Sequence, residues 1–574
     1  MKFSFLLFFA LFSAVALAQD VASRTDLVWY PDASWVDSPD PSVGLNARKG
    51  GTCRFSGGSF PKSLNAYIDG NSYSRMMFDL MYDTLLSTDS TTLEFRPSLA
   101  SKWAVSNDGR TFVFVLDERA KWSDGKPITS DDVKWTFDIV MDPASDTGPW
   151  KTMLGTYESP KTPDARTVIF SRKGDAPKNW RDLANCAFFN ILPRHAFEGQ
   201  SFNKVSLVGM PVSSAYKLLR IEEQVESEYR RVSSWWKSSF PSAKGMYNFD
   251  RILLRYHADV ENGFEALKKR IVDVYPVYSA RIMNDSARGR LFTRNWILKR
   301  RVVNRSPIGF QGFAMNMRRP PFDKLKIRQA MALLLDRETM NRTMMNGEYF
   351  LLKSYYTDLY DEKHQCKNTF WPYDPARAKK LLAEAGVENG FSFTFLSRSS
   401  GEEKFLSRYD AALKSCGIKM EIVRKDFAGW MRDIDEFNFD MTWAAWGASV
   451  FRDPESSWHS GEGKRRGGNN ITGLSIEEVD RIIAEEKGMM DVARRDEAYR
   501  RIDKLVSDAV PYVLLWHTNQ HRLLYWNKFG MPESPLGQYG DERALLTYWW
   551  YDSDRVEELE SAVKEETCLP MIMN

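Results

Sequence analysis

The spacing of apolar and polar positions changes period repeatedly along this chain. At residues 110–118, RTFVFVLDE sets Phe112, Phe114 and Leu116 on one face of an extended segment and Val113 and Val115 on the other. A strand apolar on both faces belongs inside a covered sheet. After a polar turn, DDVKWTFDIVMD has the spacing of a short helix. PFDKLKIRQAMALLLDRETMNRTM, residues 321–344, predicts a longer helix, with proline at its entry and Gly347 just past its end. YDPARAKKLLAEAGVENG marks its own limits: Asp374 as N-cap, Pro375 at the first helical position and Gly386 as the stop. GLSIEEVDRIIAEEK places Ser475 and Glu478 at capping-box spacing. PYVLLWHTNQHRLLYW, residues 511–526, reads as apolar strand, polar turn, apolar strand. No period of 20–50 residues repeats and no low-complexity linker divides the chain. The sum is a mixed α/β protein whose domains are discontinuous, with the chain crossing between them more than once.

The first eighteen residues stand apart from this pattern. Lys2 precedes an apolar run over residues 3–17 that is short for a membrane span, and Ala16–Leu17–Ala18 has the small-residue form of a signal-peptidase site. Cleavage after Ala18 is therefore expected. The first cysteine is Cys53, so no lipid attachment site follows the cut. Export without a lipid anchor points to a periplasm.

The remaining 556 residues exceed one core and predict two or three domains. A hydrophobic content of 43% and a formal charge of +3 describe an ordinary globular protein with no call for nucleic acid. The one dense basic cluster, GKRRGG at 463–468, is bracketed by glycine and reads as a solvated loop. Five cysteines show no metal spacing; in an oxidising compartment Cys366 and Cys416 are candidates to pair.

Enzyme motifs are absent from the sequence: no HExxH, no GxSxG and no GxxxxGK[ST] occurs. Of six histidines only His517 and His521 stand at i and i+4, in a strand–turn context that does not bring two imidazoles onto one face. KWSDGKPITSDDVKWTF, residues 121–137, offers Asp124, Asp131 and Asp132, but Lys126 and Pro127 interrupt any calcium loop. A tight turn at Asp124–Gly125 and a helix capped by Thr129, with Asp132 returning the bond, accounts for these residues. No metal or cofactor is expected. Recognition chemistry is concentrated in WAAWGASVFRDPESSWHSGEG, residues 443–463, where Trp446 and Trp458 stand near Arg452, Asp453 and His459. Flat apolar platforms beside both signs of charge suit an amphiphilic, zwitterionic ligand. The competing reading packs the loop on its own domain and pairs Arg452 with a neighbour. SGGSFPKSLNAYIDGNSYS, residues 56–74 and including Asn65, is a second polar segment that could line a cleft.

LASKWAVSNDGRTFVFVLDERAKWSDGKPITSDDVKWTF (99–137), FAMNMRRPPFDKLKIRQAMALLLDRE, YDPARAKKLLAEAG and NNITGLSIEEVDRII together resemble the bacterial extracellular solute-binding proteins of the oligopeptide/dipeptide/nickel type, which feed ABC importers. The matches keep family order from about residue 75 to 526. YNFDRILLRYHADVENGFEALKKRIVDV and LLTYWWYD look most like the oligopeptide- and microcin C-binding branch. The resemblance implies a two-lobed, Venus-flytrap α/β fold that closes on its ligand and hands it to membrane permease subunits. It implies a first lobe of residues 19–72, 205–301 and 527–574, a small subdomain at 73–204, and a second lobe at 302–526 with crossings near 302–316 and 517–526. A monomer that catalyses nothing is expected, taking oligopeptides or modified peptides such as cell-wall fragments. Asn65, Trp446, Arg452, Asp453 and Trp458 are the contact candidates. Two departures qualify the likeness. Ser214–Ala215–Tyr216 replaces Gly-Pro-Tyr, and Ser449, Val450 and Phe451 stand where relatives place an ammonium-binding Asp. Arg452 next to them would favour a carboxylate-bearing ligand. An oligosaccharide is the alternative ligand, and a periplasmic hydrolase or peptide chaperone the alternative of another class.

Overall fold

The computed structural model describes residues 24–570 except 59, 62, 69–71, 175–178, 205–206, 258, 399 and 490. The expected signal peptide lies outside the described residues. The chain divides into two compact units. The first runs to Tyr278, resumes over Asp285–Arg305 and takes the chain from His521 onward; the second holds Ser279–Asn284 and Ser306–Gln520.

The first unit contains a seven-stranded sheet in the order Ile297–Val303, Gln520–Trp526, Val274–Pro276, Thr52–Ser56, Arg251–Arg255, Glu226–Arg231, Tyr216–Glu222. Thr52–Ser56 is central and runs parallel to both neighbours, with Cys53 and Phe55 fully buried. A separate four-stranded antiparallel sheet places Thr111–Leu116 between Ala100–Ser106 and Thr167–Ser171. Phe112, Val113, Phe114 and Leu116 are all buried there, as a strand apolar on both faces requires. Leu27–Tyr30, expected in the main part of the first lobe, is instead the edge strand of this sheet. Tyr30 stacks on Trp103 with ring centroids 5.8 Å apart, which fixes the pairing.

The aspartate-rich segment is structural. Gly125 takes φ +91°, which a tight turn needs and a side chain would strain. The Asp124 carboxylate meets the His195 ring at 2.8 Å. Thr129 and Asp132 form the expected capping box on the helix Ser130–Met141, the Thr129 amide donating to Asp132 at 2.9 Å.

The second unit is built on a five-stranded sheet in the order Lys419–Arg424, Ser392–Ser397, Met441–Trp446, Phe310–Met315, Tyr512–Leu514. Side-chain alternation gives it two cores. Phe313, Met315, Phe395, Met441 and Val513 pack with the helices Leu325–Leu333 and Glu403–Lys414; Phe310, Ala314, Leu396, Ala444 and Tyr512 pack with Glu477–Lys487 and Val492–Ala509.

Several local expectations are corrected. Residues 321–344 form two helices, Leu325–Leu333 and Arg337–Met344, because Asp336 caps the second by accepting from the Thr339 amide at 3.0 Å. Arg337 follows at once, and its buried guanidinium donates to the carbonyls of Leu352 and Leu514, each at 2.8 Å. Ser475 is not a cap: the helix Glu477–Lys487 begins after Ile476, and Glu478 is drawn into ion pairs with Arg481 and Arg501. The cysteines are all unpaired. Cys416 is buried in the core beneath the Glu403–Lys414 helix, whereas Cys366 lies on a loop by Tyr360 and Asp503. By contrast, residues 511–526 form two strands as read, and these lie in different sheets: Tyr512–Leu514 belongs to the five-stranded sheet and Gln520–Trp526 to the seven-stranded one. Asp374 and Gly386 bound their helix as expected, with Asp374 accepting from the Arg377 amide at 2.9 Å.

Candidate functional site

The strand Met441–Trp446 is central in its sheet, and Trp446 pairs opposite Phe310, the first residue of the neighbouring strand. The end of the sheet where this strand stops is therefore the end where the chain enters the unit. The chain also turns to leave there, since the Gln311 side chain donates to the Trp516 carbonyl at 2.9 Å. Loops at the carboxyl ends of sheet strands are where α/β folds place ligands. Gly309 is required at this end: a Cβ there would lie 2.0 Å from the Trp446 carbonyl.

Beyond Trp446 the residues Gly447, Ala448 and Ser449 are exposed. The loop rests on an aromatic layer. Trp446 is half-buried and its ring N–H donates to the Tyr512 hydroxyl at 3.0 Å. Trp458 stacks on Phe310 at 5.7 Å, meets Tyr355 edge-on at 4.9 Å and donates its N–H to the Tyr356 hydroxyl at 3.0 Å. Burial drives the Tyr356 phenol upward from its usual range, so it is a neutral acceptor for that bond.

Arg452 forms a hydrogen-bonded ion pair with Asp358, from a loop 94 residues earlier. Burial raises the Asp358 carboxyl, and the Arg452 charge opposes that rise. The loop carrying Asp358 is fastened in turn by Asp503 on the helix Val492–Ala509. This fully buried carboxylate accepts from the Ser354 hydroxyl (2.7 Å), the Tyr355 amide (2.8 Å), the Tyr360 hydroxyl (2.7 Å) and the Asn368 amide (2.6 Å). Burial pushes its pKa up, and the four donors hold it down.

Of the residues singled out from sequence, Trp446, Arg452 and Asp453 come together on this loop. Asp453 is exposed and caps the short helix Pro454–Trp458. Trp458 is 2% exposed and belongs to the core beneath the loop, which removes it as a contact surface. Asn65 lies in the first unit, 2% exposed, donating to the Phe202 carbonyl and accepting from the Tyr67 amide, both at 3.0 Å. It is a turn-forming scaffold residue. Sequence reading missed Asp358 and Asp503; the tyrosine-rich SYYTDLY at 354–360 was the available signal. His517 packs on Phe350 and His521 stands 3.5 Å from Glu542 in the other unit, so the two form no pair.

Comparison with known proteins gives the class. Residues 94–468 match the bacterial extracellular solute-binding proteins, family 5 Middle. That span exceeds half of the chain, and the protein belongs to this family of extracellular solute-binding proteins. Among curated relatives, the "Probable peptide-binding protein YejA" of Agrobacterium fabrum is 27% identical over 567 residues, covering 88% of this chain and 90% of its own. The peptidoglycan-binding protein YepA of the same organism is 24% identical over 578 residues, covering 89% and 92%. Among solved structures, the periplasmic binding protein DppA of Helicobacter pylori, in complex with the peptide STSA, superposes with a TM-score of 0.75 at 18% identity, covering 88% of this chain and 99% of that one. The shared fold is the two-lobed α/β flytrap.

Proposed function

We propose that this protein captures oligopeptides or modified peptides, cell-wall fragments among them, in the periplasm and delivers them to the permease of an ABC importer. The observation that carries this reading is the exposed loop Gly447–Ala448–Ser449, which continues a central strand beside Trp446. Exposed main chain in line with a strand can hold an extended ligand by its backbone, whatever its side chains. The aromatic layer and the Arg452–Asp358 pair beneath keep that main chain fixed, which favours a preformed site. Because Asp358 balances the Arg452 charge within the unit, this loop favours backbone contacts over recognition of a ligand carboxylate. The names of the two Agrobacterium relatives support the ligand class. Stacking of a sugar loses one of its two tryptophan platforms with the burial of Trp458.

The test is mass spectrometry of small molecules released on denaturing protein purified from an envelope fraction. Peptides or muropeptides are expected at near-stoichiometric yield, and oligosaccharides alone would overturn the ligand class. The same sample tests export: its amino terminus is expected at Gln19.

A further inference from the structure

The seven-stranded sheet of the first unit turns one face to the core through Phe55, Tyr229, Ile252 and Leu254, and strand register fixes what its opposite face carries. There Lys217, Arg230 and Arg251 stand directly across from one another on the adjacent strands Tyr216–Glu222, Glu226–Arg231 and Arg251–Arg255. All three are exposed. Like charges directly opposed across strands destabilise a sheet.

The neighbouring carboxylates do not relieve this row. Glu228 is shared by Arg251, whose Nε donates to it at 2.7 Å, and Arg220, at 3.5 Å. Glu226 is shared by Arg220 at 2.7 Å and Arg255 at 3.5 Å. Both glutamates are buried, at 3% and 7% exposure, so their charge is spent on the arginines that cover them. Lys217 and Arg230 have no ion pair among the described residues. Cations that only guard a sheet edge sit on the edge strand, yet Arg230 and Arg251 lie one and two strands in from it. The row also lies at the amino ends of the parallel strands Thr52–Ser56 and Arg251–Arg255, away from the carboxyl ends where α/β folds place their ligands. A solvent-facing arrangement that costs stability and has no counter-charge within the fold marks a surface that acts on something outside it.

We propose that this face docks on an anionic lipid surface, with Lys217, Arg230 and Arg251 against its phosphate groups. Three cations on adjacent strands form a flat row of about 10 Å, which suits a layer of anionic head groups rather than one enclosed ion. Guanidinium groups pair with phosphate oxygens in a bidentate way. Leu219, in the bulge of the edge strand two residues from Lys217, is 52% exposed and gives the face an apolar group that a bilayer interface accommodates. Contact of this kind is reversible and weakens as salt screens it.

Co-sedimentation of the full chain with vesicles tests this, using phosphatidylcholine alone and phosphatidylcholine mixed with phosphatidylglycerol. The protein is expected to sediment with the mixed vesicles at low salt, to be released by high salt, and to stay in solution with phosphatidylcholine alone. Lys217→Gln and Arg230→Gln should each weaken the partition about fivefold. Both side chains are exposed and without ion pairs, so neither change removes a contact that holds the fold. Lys379→Gln, the same charge change on the helix Pro375–Glu384 of the second unit, should leave the partition intact. No sedimentation with the anionic vesicles overturns the proposal, as does a partition that Lys217→Gln and Arg230→Gln leave unchanged. An equal loss from Lys379→Gln also overturns it, since that reduces the effect to net charge. Binding of poly-L-glutamate without binding of vesicles would assign the row to an acidic protein and overturn the lipid assignment. None of these outcomes depends on whether peptides bind.

Discussion

Trp458 supports the proposed ligand loop from beneath. Its ring fills space between Phe310, Tyr355 and Tyr512, so Trp458→Ala is expected to cost about 3–5 kcal/mol of stability in denaturant titration. Arg452→Met leaves Asp358 largely buried without its cation and should cost about 1–3 kcal/mol. Adding Asp358→Asn should return much of that loss, and a double-mutant cycle without coupling would contradict the pairing. His257 gives a pH signature in the first unit. Burial, aided by Arg255, lowers its pKa below the usual 6.5. The unfolded chain then binds the proton more readily, so this residue's contribution to stability is present above pH 6.5 and is lost as pH falls toward the folded pKa. His257→Gln should flatten the fall of melting temperature below pH 6.5; an unchanged slope would remove His257 from the account. Trp458 and Asn65 were misread in sequence for one reason. Glycine- and polar-rich surroundings suggest exposure, whereas burial is decided by residues far away, Phe310 and Phe202 among them.

Elements whose limits are set locally were legible. The Thr129–Asp132 box and the Asp374–Pro375 start need only neighbours three residues apart, and both form as read. The break within 321–344 was hidden because apolar spacing continues through Leu333–Leu334–Leu335, and only Asp336 marks the restart. Asp336→Ala should cost about 0.5–2 kcal/mol through loss of that cap. Asp503→Asn turns an amide toward groups that are themselves donors, and should cost about 1–3 kcal/mol while loosening the 354–360 segment. Faster amide hydrogen exchange confined to that segment would report the loosening, and unchanged exchange would contradict the fastening role. Ser475 failed as a cap because Glu478 found Arg481 and Arg501, a competition that spacing alone does not reveal.

At the scale of the whole molecule, the family motifs kept in order from about residue 75 to 526 carried the fold, because their turns and caps are local features, and the family match over residues 94–468 falls within that span. The discontinuous division was legible from elements that alternate without a linker. The position of Leu27–Tyr30 was not, since it depends on pairing with a strand more than seventy residues away. The loop proposed to hold the ligand was singled out in sequence by its composition, and the structure adds what holds the loop itself: Trp446 on Tyr512, Arg452 on Asp358, and Asp358's own loop on Asp503. The claim that depends on all of this is that the protein binds peptides. It is tested most directly by thermal unfolding of ligand-stripped protein across concentrations of peptides and of size-matched oligosaccharides. A bound peptide at a hundred times its Kd should add about 2.7 kcal/mol, with a melting temperature that climbs with concentration. The account predicts that climb for peptides and a flat response to oligosaccharides; a climb with oligosaccharides and none with any peptide would contradict it.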